Sequence, residues 1–333
     1  MPYPFKRFLP AFVSVSILFL LTPGYLAAQN LQSLKLHSVA LKVSDVEKSV
    51  AFYQDFLGLS TVGRHGDQTI LRIGSGRQFM SISQTQSEQA PHISHIGLSA
   101  VDFNAQTFMQ TLNEAGLSMR ASPPTHKDQG LSLADTYWAY DGTVFFADRE
   151  GVVVQVSDAN YCGYSEFNCA QNLQSAQGKL PLLDINHFTT FMANAPTGNQ
   201  FYQDLFGLGI QSYQGPTTPA LAVGDGKQFL MFVGGAAEGP PRNPARIHHV
   251  SFAVNKFSVD GIFALLQNNG FNARPDGQST AGPLSYYVSL RMPNRGGAEG
   301  GTPEVYFTDP DGILLQVQDP SYCGGGGYLG EEC

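Results

Sequence analysis

A chain of 333 residues with 42% hydrophobic side chains has material for two ordinary domains, each with a core. Its formal charge of −8, with no basic run, argues against nucleic acid or anionic lipid as a partner. The 36 glycines point to many turns rather than to long helices.

In chain order, residues 1–28 read as a secretory signal. Lys6 and Arg7 form a basic start, "FLPAFVSVSILFLL" (8–21) an apolar middle, and "LAA" (26–28) a cleavage site. The apolar run is short for a membrane span and is interrupted by Pro10. The expectation is export, cleavage after Ala28, and a secreted or periplasmic protein without membrane attachment. The segment holds two positive charges and no acidic residue, so the charge goes from −8 to −10 in the mature chain.

Four similar units follow. "SVALKV" (38–43) predicts a strand, and Ser44 with Glu47 three residues later reads as a capping box. The helix predicted next runs through Val46, Val50, Tyr53 and Leu57 and ends at Gly58. "HIGLSAV" (95–101) opens a second unit, whose helix ends near Gly116. "HFTTFM" (187–192) opens a third, with a helix closing near Gly207. "RIHHVSFAV" (246–254) opens the fourth, with "IFALLQNNG" ending at Gly270. In that last strand Val250, Phe252 and Val254 share the face suited to lie under a helix. His249, Ser251 and Ala253 share the other, small and polar like a cavity wall.

The units belong to a tandem duplication. "FYQDFLGLS" (52–60) returns as "FYQDLFGLG" (201–209), and "IGSGRQFMSI" (73–82) as "VGDGKQFLMF" (223–232). "DREGVVVQVSDANYCG" (148–163) returns as "DPDGILLQVQDPSYCG" (309–324), and the offset drifts only from 149 to 161 residues. The joint lies in the polar stretch 166–181. Four cysteines suit an oxidising compartment and allow three pairings; the repeat makes Cys162–Cys169 and Cys323–Cys333 the economical choice. The glycine-rich "NRGGAEGGTPE" (294–304) lacks a strand–GxGxxG–helix setting and reads as a flexible hairpin loop. His92 and His126 flank loops and read as solvated, and neither GxSxG nor HExxH occurs.

The strand-opening histidines, the "SVAFYQDFLGL" helix (49–59) and the "DPDG" turn (309–312) resemble the βαβββ modules of the vicinal oxygen chelate superfamily. That superfamily includes glyoxalase I, bleomycin-resistance proteins and extradiol dioxygenases. The resemblance implies an α+β fold, four βαβββ modules paired into two open β-barrel-like domains. The N-terminal domain would cover 34–162, a linker 163–181 and the C-terminal domain 182–322, with a disulfide-closed tail at 323–333. Such four-module chains are most like the two-domain extradiol dioxygenases, and they complete both barrels without a dimer, so a monomer is expected.

In that family first strands and last strands supply the ligands of a divalent metal. Aligned on the helices, the positions are Ser38, His95, His187 and His249 on the first strands. His37 and His248 lie one residue off; by parity His37 falls on the helix-facing side. The last-strand ligand, a glutamate in most of the family, is Gln155 or Gln316 here. A glutamine supplies oxygen without charge; glyoxalase branches use one, and iron, manganese or zinc would suit the set. A family tyrosine that assists catalysis corresponds to Tyr306, matched by Phe145 in the first half. The C-terminal half, with His187, His249, Gln316 and Tyr306, is therefore the expected site. The family's further acid–base histidine has no counterpart, which counts against ring cleavage.

The function expected is a metal-dependent enzyme, extradiol dioxygenase-like or glyoxalase-like, acting on a small oxygenated or aromatic molecule. The alternative is a non-catalytic small-molecule binder of the bleomycin-resistance type.

Overall fold

The computed structural model describes Met1 and residues 31, 33–125, 127–169, 177–224, 226–236, 239–277 and 282–325. Residues 2–28 of the expected signal, His126 and Cys333 lie outside the described residues. The N-terminal half runs β1 (Lys35–Val43), α1 (Val46–Asp55), β2 (Ser60–His65), β3 (Gln68–Arg72) and β4 (Phe79–Gln84). It continues with β5 (His92–Ala100), α2 (Ala105–Glu114), β6 (Ser118–Met119), β7 (Thr136–Tyr140), β8 (Thr143–Ala147) and β9 (Val153–Asp158). The C-terminal half repeats it as β10 (Leu182–Met192), α3 (Ala195–Phe206), β11 (Ile210–Tyr213), β12 (Pro219–Ala222) and β13 (Phe229–Gly234). Then come β14 (Arg246–Val254), α4 (Val259–Asn268), β15 (Asn272–Ala273), β16 (Ser285–Arg291), β17 (Thr302–Thr308) and β18 (Leu314–Gln318).

Each half forms one nine-stranded mixed sheet among the described residues, in the order β2-β3-β4-β1-β5-β9-β8-β7-β6 and its C-terminal equivalent. The sheets are not closed, since β2 and β6, like β11 and β15, remain edges. One face of each sheet is apolar, as the alternation in the sequence suggests: Val250, Phe252, Val254, Leu315 and Val317 enter the main core. That core is continuous between the halves, with Phe52 and Phe56 of α1 packed on Phe271, and Phe108 of α2 stacked on Phe206. Among the described residues no helix is long and apolar enough to cross a membrane.

Two local expectations are corrected. Asp45, not Ser44, caps α1, accepting from the Lys48 amide at 3.0 Å. Ser44 instead turns to the other half, where its amide and hydroxyl both donate to Asp311. The alternation at His37 also fails. The β1–β5 register slips between Leu36 and Ser38, so His37 is a bulged residue. Its Nε2 donates to the Tyr161 carbonyl at 2.6 Å, as Asn186 in the matching bulge donates to the Tyr322 carbonyl at 2.9 Å. Both side chains anchor the segment that follows the last strand of their sheet.

The repeated motifs meet at the junction of the halves. Tyr53 donates to Asp309 at 2.9 Å, and Tyr202 to Asp148 at 3.1 Å. Asp311 accepts from Ser44, while Glu150 accepts from the amides of Ala193 and Asn194 at 2.6 and 2.8 Å. Gln78 donates to the Leu36 carbonyl and accepts from the Ile185 amide, both at 2.8 Å. Gln228 does the reverse, donating to Ile185 and accepting from Leu36 at 2.6 and 2.9 Å. The turns before these glutamines need glycine. Gly74 and Gly224 have φ of +61° and +72°, and a Cβ on them would lie 1.9 Å from the Leu183 carbonyl oxygen and 2.5 Å from that of Leu34.

Gln78→Ala leaves the Leu36 carbonyl and the Ile185 amide without partners, so urea unfolding should show a loss of about 2–5 kcal/mol. The junction also titrates. Burial raises Asp148 to about 7 and Asp309 to about 6, against the hydrogen bonds they accept. The folded chain therefore binds more protons than the unfolded chain between pH 4 and 7, and this pair's contribution to stability falls as pH rises through that window. The stability of the native protein minus that of an Asp148→Asn/Asp309→Asn variant should drop by roughly 2–4 kcal/mol between pH 5 and pH 8. A flat difference would place both carboxyls in an ordinary environment.

The Cys162–Cys169 disulfide is formed, with Cα atoms 5.7 Å apart.

Candidate metal centre

The cavity face of the C-terminal sheet carries one lateral row of side chains. Register pairs Phe229 with His187, His187 with Ser251, Ser251 with Gln316, Gln316 with Tyr306 and Tyr306 with Tyr287. His249 stands one step along β14, opposite Thr189. The four residues expected from the sequence thus come from adjacent strands β10, β14, β18 and β17, and all are buried. The small Ser251 lies between His187 and Gln316 and lets their side chains converge over it. The imidazoles of His187 and His249 meet edge to face at 5.5 Å, and His249 meets Tyr306 at 5.3 Å.

Hydrogen bonds orient both imidazoles. Asn186 gives its Nδ2 to the Tyr322 carbonyl, so its Oδ1 must accept, and His187 Nδ1 donates to it at 2.7 Å. The tautomer is then fixed, and His187 Nε2 carries a lone pair. His249 Nδ1 lies 2.9 Å from His248 Nδ1, and in the tautomer where His249 Nδ1 donates to His248, His249 Nε2 carries a free lone pair. Burial, reinforced by the charge of Arg291, holds His187 down to about 3. Burial and the neighbouring histidines hold His249 well below the usual range. Both rings are neutral at pH 7.

Buried polar atoms without partners concentrate here. Among the described residues His249 Nε2, both amide atoms of Gln316 and of Gln318, Thr189 Oγ1 and Ser251 Oγ have no hydrogen bond. The Gln316 amide lies beside both imidazoles and opposes the lowering of their pKa, yet it meets hydrogen-bond geometry with neither. Such atoms are costly inside a sheet unless something binds them.

A divalent ion fits this donor set. His187 Nε2, His249 Nε2 and Gln316 Oε1 would hold it, two neutral imidazoles and an amide oxygen. Among the described residues no three His, Cys, Asp or Glu side chains gather as a metal set, and the Gln316 amide oxygen would be the third donor.

A carboxylate that bonds Tyr306 is otherwise engaged, and sequence reasoning missed it. Glu304 is buried on β17 and accepts from Arg291 Nε at 2.8 Å, Tyr322 at 2.6 Å and Tyr306 at 3.1 Å. Its signal was its parity: Glu304 shares the cavity face with Tyr306. Burial, with this carboxylate beside it, keeps the Tyr306 phenol protonated. Phe229, Met231, Ala220 and Tyr322 form an apolar cluster on the other flank.

The N-terminal sheet has the same row with different chemistry: Phe79, Ser38, Gly97, Gln155, Phe145 and Trp138. Ser38 Oγ lies 1.8 Å from where a Cβ on Gly97 would be, filling the space over that strand. Gln155 donates to Thr143 at 3.2 Å. His95 packs edge to face on Phe145 at 5.3 Å, with no second imidazole in the row. This row offers no ligand set.

The N-terminal half, residues 35–156, matches the model of the Glyoxalase/Bleomycin resistance protein/Dioxygenase superfamily. No curated protein sequence matches the chain. Among solved structures, the 2,3-dioxygenase LapB from Pseudomonas sp. KL28 is 14% identical with a TM-score of 0.58, covering 86% of this chain and 92% of its own. The Mn(II)-bound glyoxalase from Novosphingobium aromaticivorans is 17% identical with a TM-score of 0.56, covering 85% and 81%. Homoprotocatechuate 2,3-dioxygenase from Arthrobacter globiformis is 16% identical with a TM-score of 0.56, covering 88% and 81%. These likenesses establish the fold of the whole chain. Residues 35–156 belong to the glyoxalase/bleomycin resistance protein/dioxygenase superfamily, and the second half of the chain repeats their fold.

Proposed function

We propose that the C-terminal barrel is the active site of an exported, metal-dependent enzyme acting on a small oxygenated or aromatic molecule. The observation that carries this reading is the convergence of unpartnered donor atoms on one row: His249 Nε2 and the Gln316 amide beside a His187 whose tautomer presents its lone pair. Manganese or iron is the ion proposed, the manganese-bound glyoxalase fold being a supporting parallel. The ion would supply Lewis-acid polarisation of substrate oxygen.

The chain's own residues would do the rest. Tyr306 donates its proton to Glu304, so toward a substrate hydroxyl its oxygen acts as an acceptor. Glu304 compensates Arg291 and so lets a cation stay beside the neutral imidazoles. The Phe229 and Met231 flank excludes water and suits a ring or short apolar chain. Substrate would enter by the groove between the halves. That groove, about 610 Å³, is lined by Leu314, Tyr287 and His248, the last two in contact with Tyr306 and His249. Export rests on the signal at 1–28 and accords with the Cys162–Cys169 disulfide. We propose that the chain works as a monomer.

A second reading, a metal-free binder of small molecules, is favoured by one observation: every donor in the row is uncharged, and Glu304 is already paired. The two separate in one experiment on the mature protein supplied with Mn(II) or Fe(II) and catechol. Oxygen uptake or product formation abolished by a chelator supports the enzyme. Stoichiometric binding indifferent to the chelator, without turnover, supports the binder.

A further inference from the structure

The N-terminal barrel holds a cavity of its own, about 400 Å³, with walls sorted by chemistry. Leu133, Trp138, Phe145 and Val153 make one apolar wall, the Trp138 and Phe145 rings stacked at 5.5 Å and 5°. Across the central strands, Ser81 and Ser83 of β4 and Gln68 of β3 present hydroxyls and an amide. Lys42 of β1 stands between the walls, near His95 of β5.

Lys42 has no counterpart in the other half, where Phe191 takes its place on the first strand and stacks on His248. It is half-buried and, among the described residues, forms no ion pair. Asp128, the carboxylate among the described lining residues, is paired with Arg120 at 3.1 Å. His95 adds no second cation, since burial and then the Lys42 charge lower it to about 3. With no free carboxylate among the described lining residues, an anion entering the cavity would meet Lys42 without a competing counter-charge.

We propose that this cavity is a second, metal-independent binding site for a planar aromatic monoanion, with its ring on the Trp138–Phe145 wall and its acid group on Lys42. The volume suits a single-ring compound. Ser83, paired in register with Lys42, adds a hydroxyl donor on the same side. The apolar wall supplies affinity without charge selectivity, and Lys42 supplies the selectivity.

Trp138 is the single tryptophan of the chain, so its fluorescence reports on this cavity directly. The test is a titration of the full chain with benzoate in excess chelator, beside benzamide, which has the same shape without the charge. Benzoate should give a saturable change, and benzamide should bind roughly tenfold more weakly or worse. Lys42→Met should abolish that preference, and Lys42→Arg should retain it. A linear, non-saturating response to benzoate would overturn the proposal. So would equal affinities for the two compounds, or full benzoate affinity in Lys42→Met.

Discussion

Gln316→Glu should raise the affinity of the C-terminal barrel for Mn(II) by about a hundredfold, or about 2.7 kcal/mol. The row offers two neutral imidazoles and an amide, so the ion's charge is opposed only by dipoles. A carboxylate at the same place keeps an oxygen toward the imidazoles and adds a charge where water is excluded and screening is weak. The same change should weaken the metal-free protein, because it buries a carboxylate beside the Tyr306 ring and two neutral imidazoles without a positive partner. Mn(II) titration followed by electron paramagnetic resonance reads the first effect and urea unfolding the second. Unchanged or weaker Mn(II) binding in the variant would remove Gln316 from the ligand set.

Glu304→Gln should destabilise the protein by about 3–5 kcal/mol. Arg291 is 4% exposed and its guanidinium is compensated by that carboxylate, so loss of the charge strands a cation in the sheet. One carboxylate oxygen becomes an amide NH2, so Tyr306, which donates to Oε2, or Tyr322, which donates to Oε1, loses its acceptor. The double variant Glu304→Gln/Arg291→Met removes the stranded charge and should recover most of the loss, as replacement of a whole buried pair does. A double variant no more stable than the single one would show that the cost arises from packing, not charge.

How far the sequence could be read depended on whether a feature is periodic or depends on contacts remote in the chain. The strand parity of "HVSFAV" placed His249 and Ser251 on one face, and the family resemblance pointed to Gln316 and Tyr306, which register brings into the row beside them. The αL glycines at Gly58, Gly116, Gly207 and Gly270 are where the helix ends were expected. Parity failed at His37, where a bulge intervenes, because one inserted residue turns the alternation over. Ser44 was misread as a cap because its partner, Asp311, is 267 residues away.

The same blindness hid why the motifs repeat. Tyr53, Gln78 and Asp148 looked like marks of ancestry, and their physical work is to join the two halves symmetrically with Tyr202, Gln228 and Asp309. Glu304 was passed over because its role depends on Arg291, brought opposite it by the β16–β17 hairpin. Lys42 gave no signal at all, since an unpaired lysine on a strand looks like any solvated one until the cavity around it is seen.

His187, His249 and Gln316 are proposed to hold a divalent ion. The most direct test is the Mn(II) stoichiometry of the chelator-stripped protein after reconstitution, beside a His187→Ala/His249→Ala double variant. One tightly bound equivalent in the native protein, lost in the variant, is the result expected. No binding in the native protein, or one equivalent retained in the variant, would contradict it.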